Sequence, residues 1–272
     1  YLGRFEREAR IAAKLNHRCI TRIIDYGDLD GQPYIVIEFI DGFTLSNFVK
    51  AHEGCINELN VLKLIGMTAS ALYEAHQNNI IHRDLKPQNI MISKQGRPYI
   101  TDLGLARHVA DMSITQSSII MGSPAYMAPE CFTADDKIDF RSDIYSLGCI
   151  GYFAAFKSLP IKGASMREIV HKHLSGEVEF DLETACSPLT INIIKKMMAF
   201  NVEDRYQSAN LIVDDVKKTM QEVQQSGWEL QWRKQSREAT SSQEYYTETV
   251  EAEVSDTFSV SDSFLKIDKV LK

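Results

Sequence analysis

Apolar residues recur along this chain with two periods, and the change from one to the other outlines the fold. Over residues 3–15, Phe5, Ile11, Ala12 and Leu15 fall on one side of a helix while charges occupy the rest. Residues 20–26 and 33–39 are short β-rich runs on either side of Asp30-Gly31, a hairpin signal. Residues 44–51 predict a short helix capped by Thr44; residues 58–78 predict a long one, apolar at helical spacing and free of proline. A loop over 80–89 leads to two short apolar stretches, 90–93 and 98–101, around Gln95-Gly96. A Ser/Thr-rich loop follows from Asp102 to Glu130, and helical patterns return at 142–156, 165–174, 189–200 and 208–223. Strands come first and helices dominate later, which predicts an α+β fold with a small sheet and a larger helical body. No internal repeat is present.

The pattern changes after about Gln224. Between Glu238 and Asp262 stand seven acidic residues, no basic ones and nine Ser or Thr, so this stretch cannot bury enough apolar surface to offset its ordering entropy. It reads as a disordered tail or linker. The rest of the chain is ordinary for a soluble globular protein, and its net charge of −7, with no dense Lys/Arg cluster, argues against a nucleic-acid surface. The five cysteines (Cys19, Cys55, Cys131, Cys149, Cys186) are scattered and form no C-x-x-C pair, so neither a disulfide framework nor a zinc site is suggested. Reduced thiols in a cytoplasmic protein are the simplest expectation. The longest uncharged apolar run, 144–156, has thirteen residues; it is too short to span a bilayer and suits a buried helix.

The residues that carry chemistry begin at His82-Arg83-Asp84-Leu85-Lys86-Pro87-Gln88-Asn89, which resembles the catalytic loop of protein kinases, H-R-D-L-x-x-x-N, at every specified position. A phosphoryl acceptor hydroxyl needs a carboxylate to orient it and take its proton, the role the resemblance gives Asp84. Asn89 would supply a hard amide oxygen to the metal, and Lys86 would offset charge on the γ-phosphate. A lysine at that place resembles serine/threonine kinases rather than tyrosine kinases. Asp102-Leu103-Gly104 resembles the metal-binding D-F-G motif with Leu for Phe, and Asp102 would chelate Mg²⁺. The run from Gly122-Ser123-Pro124-Ala125-Tyr126-Met127 to Ala128-Pro129-Glu130 looks like the end of a kinase activation segment. By that resemblance Ser123 bonds Asp84, Glu130 pairs with a buried arginine for which Arg205 is the candidate, and Asp143 anchors the catalytic loop from below.

Order and spacing identify residues 1–223 as similar to bacterial eukaryotic-like serine/threonine protein kinases. The resemblance implies a protein-kinase-like bilobal fold. It would have a partial small lobe over 1–38 (helix C and the family's fourth and fifth strands), a hinge at 38–42 and a mainly helical large lobe over 43–223, followed by the acidic tail at 224–272. It implies ATP with Mg²⁺, or Mn²⁺, as cofactor and protein substrates as partners, with no nucleic acid. Nucleotide contacts would come from Glu8 on helix C, from Ile37 as gatekeeper, from the backbone of Glu38 and Ile40, and from Met91, Lys86 and Asp102. Because Arg83 precedes Asp84, phosphorylation in the activation segment would order it by pairing with Arg83, with Thr115 and Ser117 as the favoured acceptors. Membrane anchoring outside this chain stays open.

One departure matters. Kinase domains open with a glycine-rich loop and a strand lysine ahead of helix C, and these 272 residues contain neither a G-x-G-x-x-G nor a V-A-I-K lysine for Glu8 to pair with. Two readings follow: an incomplete and inactive fragment of a working kinase, or a degenerate kinase acting as scaffold or regulatory binding module. The intact set Asp84, Lys86, Asn89 and Asp102 favours the first.

Overall fold

The computed structural model describes residues 9–30, 32–52, 56–103, 124–133, 138–176, 178 and 186–226. The first helix expected over 3–15 is seen from residue 9 and winds as far as residue 12, its last turn tightening into i→i+3 bonds such as Leu15 N–H to Ala12 O at 3.1 Å. The hairpin is present as β1 (Ile23–Leu29) and β2 (Gln32–Ile37), antiparallel, with Asp30 in the left-handed region at φ 53° where the chain reverses. A second sheet holds β3 (Gly42–Thr44), β4 (Ile90–Ser93) and β5 (Pro98–Ile100) in that order, all antiparallel, with Gly96 turning at φ 78°. Glycine is required at position 42: a Cβ there would sit 1.9 Å from the Ile92 carbonyl oxygen, so β3 could not lie on β4. The chain before β1 joins this sheet through Thr21 N–H to Ile100 O (2.9 Å) and Ile100 N–H to Cys19 O (2.8 Å).

The helical body is built from α1 (Leu45–Ala51), α2 (Glu58–Gln77), α3 (Arg141–Phe156), α4 (Met166–Ser175), α5 (Pro188–Met197) and α6 (Ala209–Ser226). Their starts carry the expected chemistry. The Thr44 hydroxyl accepts Asn47 N–H at 3.2 Å, the Asn57 amide oxygen accepts Leu59 N–H at 2.8 Å, and the Ser165 hydroxyl accepts Glu168 N–H at 3.2 Å. Pro188 opens α5, where a missing N–H costs nothing. α6 runs to Ser226, three residues into the stretch expected to be tail.

α3 is the axis. Fourteen of its sixteen residues are buried, as a helix apolar on every side must be. Leu62, Ile65 and Leu72 of α2 pack with Ile144, Leu147 and Ile150 of α3, with Ile194 of α5 and with Ile212 and Val216 of α6. Each such side chain contributes roughly 1.5–3 kcal/mol by leaving water. Gly148 lets α5 approach α3, since a Cβ there would meet the Met198 side chain at 2.6 Å. A polar clasp joins α2 to α5: the Glu58 Oε1 accepts Ser187 N–H (2.9 Å), Ser187 Oγ–H (2.5 Å) and Thr190 Oγ1–H (2.5 Å). Cys19, Cys131, Cys149 and Cys186 form no disulfide, and burial pushes the Cys19 thiol up to about 11. Among the described residues no helix is long and apolar enough to cross a membrane.

Candidate active site

The site forms where the loop after α2 meets the start of α3. His82 N–H and Arg83 N–H donate to the two carboxylate oxygens of Asp143, at 2.8 Å and 2.9 Å. His76, near the end of α2, brings its Nε2 to 2.9 Å from the same Asp143 Oδ2. Burial alone would push the Asp143 carboxyl up, but the His76 ring and the His82 backbone outweigh it and hold the group below the ordinary carboxylate range. A fully buried carboxylate therefore grips two consecutive amides of the loop.

Arg83 sits at φ 62°, and Asp84 N–H returns to His82 O at 2.8 Å, a γ-type turn that costs backbone strain. The turn leaves Asp84 partly open to solvent, with its side chain 26% exposed. Lys86 Nζ lies 2.6 Å from Asp84 Oδ2, and Asn89 Nδ2 donates to the Asp84 carbonyl at 2.8 Å. The donor half of the Asn89 amide is thus committed to the loop, which leaves its carbonyl half as the one that suits a hard cation.

Asp102 belongs to the same unit. Thr101 N–H donates to Asn89 O at 3.0 Å, and the buried His82 ring places Nε2 3.0 Å from Thr101 O. Asp102 follows in the left-handed region at φ 55°, its side chain exposed, while Leu103 enters the core. An amide oxygen and a carboxylate on adjoining backbone fit a Mg²⁺ ion that takes most of its remaining ligands from phosphates and water. Among the described residues no three His, Cys, Asp or Glu side chains converge.

The other expected contacts lie on the two sheets. Ile37 ends β2, half exposed; Glu38 N–H is used inward on Arg22 O (2.9 Å), leaving the Glu38 carbonyl as its outward group. Ile40 is half-buried, and Met91 lies mid-strand on β4 opposite Thr44 and Tyr99. Glu8, Ser123 and the activation-segment acceptors Thr115 and Ser117 lie outside the described residues.

The protein kinase domain model matches residues 3–221. The chain belongs to that family. Among its relatives are the serine/threonine-protein kinase PknB of Mycobacterium tuberculosis, 36% identical over 222 residues, and PrkC of Bacillus subtilis, 35% identical over 219 residues. These matches cover 76% and 80% of this chain but 34% of each relative, so the chain spans about a third of the length of the curated kinases it resembles. A probable PknB of Lactococcus lactis is 33% identical over 217 residues, 79% of this chain and 34% of the relative. The kinase domain is of the bacterial eukaryotic-like serine/threonine type, with small sheets and a helical large lobe.

The segment that closes this kinase domain's activation loop is fastened with unusual completeness. Arg205, whose side chain is fully buried, pairs with both Glu130 oxygens at 2.7 Å and 2.8 Å. Its remaining donors reach Ala199 O (2.7 Å), Phe200 O (3.1 Å) and Arg141 O (3.2 Å), so all five N–H groups are used. The guanidinium also lies 4.9 Å above the Tyr145 ring. The expected Glu130–Arg205 pairing is therefore present, as is the Asp143 anchor. Three partners escaped sequence reasoning: His76, which ends a long helix with no distinguishing neighbour; Ser146, one polar residue in an apolar run; and His173, whose Nδ1 meets the Tyr145 hydroxyl at 3.0 Å.

Proposed function

We propose that this kinase domain transfers the γ-phosphoryl group of ATP to Ser and Thr hydroxyls of proteins, with Mg²⁺ or Mn²⁺. The observation that carries the reading is the Asp84–Lys86–Asn89 cluster, bonded within itself and joined through Thr101 to Asp102. Bound nucleotide and its divalent ions supply the phosphoryl group and spread its charge. Asp84 orients the acceptor hydroxyl and takes its proton; Lys86 faces the γ-phosphate; Asn89 and Asp102 hold the metal. Ile37, Met91 and the backbone of Glu38 and Ile40 would receive adenine, and Glu8 completes the nucleotide contacts from helix C. The same reading takes the domain as cytoplasmic, self-phosphorylating on Thr115 or Ser117, with the acidic stretch beyond α6 as a tail or linker. The runner-up is a pseudokinase acting as scaffold or regulatory binding module, a role that needs no phosphate transfer.

The deciding experiment is phosphate transfer from labelled ATP to a generic basic protein and to the kinase itself, using the protein expressed from its full reading frame. Label should appear on Ser or Thr and fall at least about a hundred-fold in Asp84→Asn, the loss expected when a general base is removed. Folded protein that transfers no label with either metal would leave the scaffold reading standing.

A further inference from the structure

Ser146 makes a bond that α3 itself does not need. Its Oγ lies 2.7 Å from the Tyr126 carbonyl oxygen and 3.1 Å from the Ser142 carbonyl oxygen. A hydroxyl has one proton to give, and a serine within a helix ordinarily returns it to the residue four back. Here the contact leaving the helix is the shorter. Ser146 and Tyr126 are each 8% exposed, so little water reaches the bond to replace it. Tyr126 closes the single turn Pro124–Tyr126, two residues ahead of Ala128-Pro129-Glu130.

Asp143 lies one helical turn before Ser146 on the same helix, gripping the catalytic loop. A single turn of α3 thus holds the loop that carries Asp84 and the turn that leads into Ala128-Pro129-Glu130. We infer that Ser146 is a positioning residue for the phosphoryl acceptor: by fixing the Tyr126 carbonyl it sets the peptide-docking segment at a constant height above the catalytic loop. The inference rests on the protein-kinase reading and takes the stretch from Pro124 to Glu130, held to the same helical body as the loop of Asp84, as the surface that meets the acceptor. Tyr145 and Arg205 touch the same region, but they also carry the Glu130 pairing; Ser146 acts on the turn alone.

The test uses Ser146→Ala and Ser146→Thr in the protein from its full reading frame, with peptide and ATP varied separately. Ser146→Ala should raise the KM for peptide about five-fold, as loss of one buried hydrogen bond in the acceptor site implies. The KM for ATP should stay near that of the parent, and Ser146→Thr, which keeps the hydroxyl, should restore the peptide KM. An unchanged peptide KM in Ser146→Ala overturns the inference, and so does a loss shared equally by both KM values and kcat, the pattern of general structural damage. A parent that phosphorylates no peptide at all removes the kinase reading and this inference with it, an outcome distinct from either.

Discussion

Around α3 two buried charged groups are closely engaged, whereas on the β1–β2 hairpin several apolar side chains are exposed. Arg205 uses all five donors and Asp143 accepts from two backbone amides and a histidine, both residues being almost wholly enclosed. On and just after the hairpin, Ile24, Leu29 and Phe39 are 60%, 68% and 89% exposed. The contrast separates two tasks. A carboxylate that must hold a catalytic loop at a fixed angle works best where the surroundings are rigid and poor in water, since an electrostatic contact is then strong and every alternative is costly. A two-stranded ribbon is marginal by itself, and among the described residues these side chains lie outside the packed core. Among the described residues the polar precision thus lies in the helical body, while the hairpin is held mainly by its own strand pairing.

The comparison breaks first at Arg205. Arg205→Ala removes one half of a buried, doubly bonded ion pair and leaves Glu130 and three carbonyls unmatched. It should cost about 3–5 kcal/mol in urea unfolding. A cost below about 1 kcal/mol would mean that the body is no better tied than the hairpin.

A second test sharpens the contrast through pH. Burial among Tyr145 and Phe132 lowers His173 to about 4, and the Pro124 carbonyl pulls the other way without reversing it. The folded protein therefore keeps this ring neutral where the unfolded chain takes up a proton. Its contribution is complete above the ordinary histidine value of about 6.5 and is lost as pH falls towards 4, by up to about 3 kcal/mol. His173→Gln should flatten that part of the acid limb, seen as a smaller difference in unfolding free energy between pH 7 and pH 4.5. An identical acid limb in the variant would show that the ring is not enclosed as described.

The smallest effect belongs to the other region. Leu29→Ser and Phe39→Ser, each removing an exposed apolar side chain, should change stability by no more than about 0.5 kcal/mol in the same urea measurement. A loss of 2 kcal/mol from either would place the hairpin among the packed parts of the molecule.

The same division decided what could be read from the sequence. That Asp84, Lys86, Asn89 and Asp102 lie on adjoining backbone was legible because a motif fixes their spacing, and Glu130 with Arg205 because a motif supplied both ends. The helices α2 and α3 were legible through period and length. Strand β3 was not, because three residues give no alternation to count, and its place depends on Gly42 lying against Ile92. His76 and Ser146 were missed for a related reason: each acts on an atom distant in sequence, 67 residues away for His76 and 20 for Ser146, and a lone polar side chain announces no such partner. The end of α6 ran past the expected boundary because Gln and Ser near 224–226 neither favour nor forbid helix strongly.

The anchoring turn of α3 also bears on how such a domain can change over generations. Asp143, Tyr145 and Ser146 meet the catalytic loop, the Arg205–His173 side and the Tyr126 carbonyl from one turn of helix. One residue inserted or deleted between Asp143 and Ser146 would swing everything beyond it by about 100° around the axis, and no neighbouring side chain could follow. Substitutions within this turn can be absorbed one contact at a time, but a change of length cannot. A change of length here would break contacts on three sides at once, whereas a residue added to a connecting loop need break none of them.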